Sequence, residues 1–69
     1  MDIQQENAIR IQARNVLIEY NKMTKKQRKD EILIKRLIDM HYSKVSSLLK
    51  RTLFIRYIAI SSGVLNDHL

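Results

Sequence analysis

The chain has no cysteine, no proline, no tryptophan and a single glycine, Gly63, in 69 residues. Without Cys there is neither a disulfide nor a thiolate metal site, and two histidines, His41 and His68, do not make a zinc site without carboxylates brought in from elsewhere. One Gly and no Pro argue against an all-β fold, which needs tight turns at short intervals. The longest nearly apolar run, "LFIRYIAI", is eight residues with Arg56 inside it, far short of the ~20 that span a bilayer. The start, "MDIQQEN", is polar and acidic, unlike a secretory leader. The expectation is a cytoplasmic protein. Nothing resembles a glycine-rich phosphate loop, no Cys nucleophile exists, and the few carboxylates are scattered, so no enzyme and no cofactor are expected.

What is present is apolar surface and positive charge. Hydrophobic residues make up 45% of the chain, ordinary for a folded domain and too rich for a disordered tail. One domain, residues 1–69, is expected. A chain this short exposes much of its surface even when folded, and a lone core of this size rarely supplies more than ~3–5 kcal/mol. With the covalent and metal staples missing, a homodimer is the expected support.

Net charge is +6, unevenly spread. Arg10 and Arg14 face Asp2, Glu6 and Glu19 in residues 1–21, a net of −1, whereas residues 22–56 hold eleven basic residues against Asp30, Glu31 and Asp39, a net of +8. Such a field attracts polyanions: nucleic acid, an acidic protein or an anionic membrane face. The last has least support, because the apolar segment from Leu53 to Leu65 is nearly uniform and lacks one polar face. A composition rich in Ile, Lys and Asn suits an AT-rich genome, and the small size suits a phage or plasmid protein.

Apolar periodicity predicts an all-α fold, a small three-helix domain with helices at about 3–23, 25–40 and 44–61. In the first, Ile9, Ala13, Val16, Tyr20 and Met23 recur at steps of three and four, Ile11 and Leu17 widening the stripe. The opposite face, with Gln5, Glu6, Arg10, Gln12, Arg14 and Glu19, reads as solvated. Thr24 and Gln27 have capping-box spacing at the start of the second helix. There "KKQRK" puts four cations where the helix dipole prefers anions, an arrangement that suits a partner more than the helix. Ile34, Leu37, Ile38 and His41 share a face of this helix, and His41 reads as an end-of-helix or surface residue. After a break at Asp39–Ser43, Ser43 reads as the cap of a third helix that Gly63 ends. Val45, Leu48, Leu49 and Leu53 would face inward. Met1, Met23 and Met40 read as gap fillers.

The stretch "IKRLIDMHYSKVSSLLKR", residues 34–51, resembles the helix-turn-helix family of DNA-binding motifs. Ile34 matches its opening apolar residue, Leu37 and Ile38 its apolar pair, Met40 the residue after the turn, and Val45 with Leu48 or Leu49 the inner face of the second helix. Asp39 stands where the family often has Gly or Asn, and Lys35 where it carries a small residue. The resemblance implies that the second helix enters the major groove of double-stranded DNA. Tyr42, Ser43, Lys44, Ser46, Ser47 and Lys50 would approach the bases, while Lys25, Lys26, Arg28, Lys29, Arg51 and Arg56 would bind phosphates. Plain packing of two amphipathic helices accounts for the same apolar pattern. The expected function is therefore a small DNA-binding transcriptional regulator, against the alternative of a helical interaction module or inhibitor docking its basic face on an acidic protein.

Overall fold

A helix of twenty residues, α1, spans Ile3–Lys22 and forms the spine of the molecule. The computed structural model describes residues 3–63; expectations placed on Met1, Leu65 and His68 fall outside them. After α1 come α2 (Lys25–Arg28), α3 (Glu31–Tyr42) and α4 (Arg51–Ser61), with no strand among the described residues. The all-α class is as expected; the boundaries are not, and four helices replace three.

α1 buries Ile9, Ala13 and Val16, the centre of the stripe read from the sequence. Ile11 does not belong to it. It is 53% exposed, because at ~100° per residue it lies on the far side of the helix from the other three. The second expected helix is cut in two at Asp30. Thr24 accepts from the Gln27 backbone amide at 3.2 Å, and the Gln27 side chain accepts from the Thr24 amide at 3.0 Å, completing the capping box. Farther along the chain a second cap intervenes: the Asp30 carboxylate accepts from the amides of Ile32 (3.0 Å) and Leu33 (3.3 Å), and Glu31 adds a negative charge to the first turn. A cap of this kind stabilises a helix by about 1 kcal/mol. It makes the four cations of residues 25–29 members of a short separate turn instead of the N-terminus of a long helix.

α3 continues through the break expected at residues 39–43. Ser43 closes it as a C-cap instead of opening a new helix, its hydroxyl donating to the Met40 carbonyl at 2.7 Å. Residues 43–49 then form consecutive turns, with i→i−3 backbone bonds from Lys44 to His41, Val45 to Tyr42 and Leu48 to Val45. Serine at 43 and 46 bonds backbone carbonyls locally, which competes with a regular helix. The Tyr42 hydroxyl donates to the Leu49 carbonyl at 2.7 Å and closes the segment. Lys50 is extended (φ −73°, ψ 154°) and starts α4 without a side-chain cap. A helix from Lys44 is thus replaced by one from Arg51. At the far end Gly63 adopts φ 84°, the left-handed conformation that lets a helix stop cheaply.

Leu37, Val45, Leu49 and Phe54 join the three α1 residues in one buried cluster, with Ile38, Leu48, Tyr57 and Ile58 against it. Of the quoted stretch Leu37, Val45 and Leu49 are therefore packed, with Ile38 and Leu48 against them, whereas Met40, expected to fill a gap, is 49% exposed and Leu53, expected to face inward, 47%. α3 returns antiparallel along α1, its start near Met23 and its end at Gln12, and α4 lies against α1, with Arg10 over the Tyr57 ring at 5.7 Å. The molecule measures 38 × 25 × 17 Å. At 17 Å it is under two helix diameters thick, so every helix keeps one face in solvent.

Candidate nucleic-acid interface

Of the described carboxylates, Glu6 pairs with Arg10 at 3.1 Å, Glu19 with His41 at 2.7 Å and Asp39 with Arg51 at 2.7 Å, while Asp30 caps α3. Only the Glu31 side chain has no described partner. The cations divide differently. Arg28 is a structural staple: its Nε donates to the Tyr20 carbonyl (3.1 Å) and its Nη2 to that of Asn21 (3.0 Å), with the guanidinium over the Tyr20 ring at 5.0 Å. It fixes the corner between α1 and α2. Arg51 is likewise held by Asp39. The side chains of Arg14, Lys22, Lys25, Lys26, Lys29, Lys35, Arg36, Lys44, Lys50 and Arg56 are exposed and make no hydrogen bond or ion pair with a described residue.

Eight of these stand along α3. Lys22, Lys25, Lys26 and Lys29 crowd the corner that leads into it, Lys35 and Arg36 lie on it, and Lys44 and Lys50 sit on the turns that follow. Twelve residues of helix put the two ends about 18 Å apart. The candidates for base contact are brought together only in part. Ser43, Lys44, Ser46, Ser47 and Lys50 lie on the turns between α3 and α4, not on a helix, and all are exposed. Tyr42 is half-buried, its ring 5.6 Å from Phe54 and its hydroxyl given to Leu49, so its chemistry is spent inside the fold.

The sequence reading missed the polar cluster at the centre of the molecule. His41 is not a surface residue but 5% exposed. Its Nδ1 lies 3.0 Å from Gln12 Oε1 and its Nε2 2.7 Å from Glu19 Oε2. A carboxylate only accepts, so Nε2 carries the hydrogen towards Glu19, and the Gln12 amide meets Nδ1 with whichever end suits it. Gln12 and Glu19 are two turns apart on α1 and so share the face that α3 covers. The usable signal was that His41 continues the apolar stripe of Leu37 and Ile38 while Gln12 and Glu19 flank that of Ile9, Ala13 and Val16. Three or more His, Asp or Glu side chains do not converge as a metal site anywhere among the described residues, and no described helix is long and apolar enough to cross a membrane.

Comparison with protein-family models, curated proteins and solved structures returns no match for this chain.

Proposed function

We propose that the protein is a small cytoplasmic DNA-binding regulator that grips double-stranded DNA chiefly by its phosphates and performs no catalysis. The observation that carries this reading is the asymmetry of the charges. Four of the five described acids are engaged inside the molecule, whereas ten exposed cations are left for an outside partner. Phosphates contribute most of the affinity of such interfaces, and each one bound adds to the salt dependence. The two basic ends of α3, about 18 Å apart, reach phosphates on both sides of a major groove ~12 Å wide. In this reading Ser43, Lys44, Ser46, Ser47 and Lys50, which the helix-turn-helix resemblance places on a recognition helix, approach the DNA from the turns between α3 and α4, and Asp39, matched to the motif's turn, lies within α3.

Lys44→Ala with Lys50→Ala, and separately Lys25→Ala with Lys26→Ala and Lys29→Ala, test it. All five side chains are exposed, so the fold should be unchanged by circular dichroism. Each set should weaken binding to a labelled duplex and lower the salt slope by roughly one for each phosphate no longer bound. Unchanged binding in the first set would remove the turns from the interface.

A homodimer belongs to this proposal. Leu53 is 47% exposed on α4, apolar area that a marginal core does not cover by itself. Sedimentation at micromolar concentration should give twice the 8.2 kDa chain mass; a Leu53→Lys variant should sediment as a monomer. A protein-interaction role is the second reading, and a specific groove favours it.

A further inference from the structure

The seam between α1 and α3 is recessed on two sides. The first recess, about 300 Å³, is lined by Leu17, Tyr20, Ile34 and Ile38 with Ile58 of α4, and no charged residue edges it. The second is an open groove of about 460 Å³, floored by Met23, Leu33, Leu37 and Met40 and edged by Lys22, Arg36 and Glu19. Leu33, Leu37 and Met40 fall at i, i+4 and i+7 on α3, so they form a continuous apolar stripe along the helix. Met40 is 49% exposed, and no described residue covers it.

We propose that this groove receives an amphipathic helix of a partner protein, with its apolar ridge flanked by Asp or Glu. Two parallel walls with an apolar floor are the geometry in which a third helix lays down anchors at i, i+3 or i+4, and i+7. Methionine at two of the four floor positions adapts to the shape of such anchors. The rim sets the sign of the partner. Lys22 from α1 and Arg36 from α3 are exposed and have no described side-chain partner, while Glu19, the acid at the edge, is occupied by His41. Cations therefore stand on both walls, and carboxylates flanking the ridge complement them. A second copy of the chain does not fit. The outward isoleucines of α1, Ile11 and Ile18, share their face with Arg14 and Lys22, and α4 carries no acid at all. A nucleic acid does not fit either, because its phosphates would desolvate against an apolar floor.

The test uses the full chain carrying carbon-13 in its methionine methyl groups. The probe is a synthetic helix of about four turns with leucines at those spacings flanked by glutamates; the control has lysines in place of the glutamates. The acidic peptide should move the Met23 and Met40 methyl signals saturably and the lysine peptide should not. Lys22→Glu with Arg36→Glu should weaken the acidic peptide about tenfold or more. Three outcomes overturn the proposal: both methyl signals unmoved at millimolar acidic peptide, equal response to both peptides, or affinity unaffected by the charge reversals. The inference shares Lys22 and Arg36 with the DNA reading, but the residues that test that reading, Lys25, Lys26, Lys29, Lys44 and Lys50, are not in this groove, so the two fail separately.

Discussion

Phe54→Ala is expected to abolish the cooperative thermal melt of the domain. Phe54 is fully enclosed (0% exposed); it is the one buried residue of α4 and the side chain through which that helix is fixed to the core, in ring contact with Tyr42. Removing a buried phenylalanine costs about 3–5 kcal/mol, and the whole stability of a domain this small is about 3–5 kcal/mol. The two magnitudes are equal, so the variant has no margin left. An exposed residue of the same helix provides the internal control. Thr52 is exposed, and Thr52→Ala should change the stability by less than about 1 kcal/mol. Far-ultraviolet circular dichroism during heating reads both. A Phe54→Ala protein that melts like its parent would mean that α4 is not docked through this residue.

His41→Ala should cost about 2–3 kcal/mol, a large share of the total. Two hydrogen bonds of about 1 kcal/mol each disappear, and a cavity opens where the ring joined α3 to α1. Gln12 and Glu19 are not themselves buried, so they turn to water and add no orphan penalty. In urea the midpoint should fall by roughly 2 M at unchanged slope, for a slope near 1 kcal/mol/M. Glu19→Gln keeps an acceptor facing Nε2 on a side chain that is 46% exposed, and should move the midpoint far less. Equal effects from the two variants would show that the burial of the ring contributes little.

These two residues also mark how far the sequence could be read. Local signals were legible where backbone geometry alone decides: the three-and-four spacing of Ile9, Ala13 and Val16, the Thr24–Gln27 capping box, and Gly63 as a helix end. Phe54 sat in a run that is apolar on nearly every side, so the pattern could not say which side faces in. The connection 43–50 was read as helix because Val45, Leu48 and Leu49 have helical spacing. What overrides that spacing is a sum of small local preferences, the serine side-chain bonds and the extended Lys50, closed by a hydrogen bond from Tyr42 to a carbonyl seven residues away. His41 was misread for a related reason. Its partners lie 29 and 22 residues earlier in the chain, and only the packing of α3 on α1 makes them neighbours. In the candidate interface the exposed lysines were legible as charge. That Arg28 and Arg51 are held by internal acceptors, and Tyr42 by a carbonyl, depends on the tertiary fold.

The central claim is that the unpartnered cations exist to meet a polyanion, and one titration tests it most directly. A labelled DNA duplex of random sequence is titrated with the protein at about 50 and about 200 mM salt and followed by fluorescence anisotropy. An interface binding about six or more phosphates should hold the duplex at the lower salt and lose about a thousandfold or more in affinity at the higher. No binding at the lower salt, or binding that ignores the salt, would contradict the account.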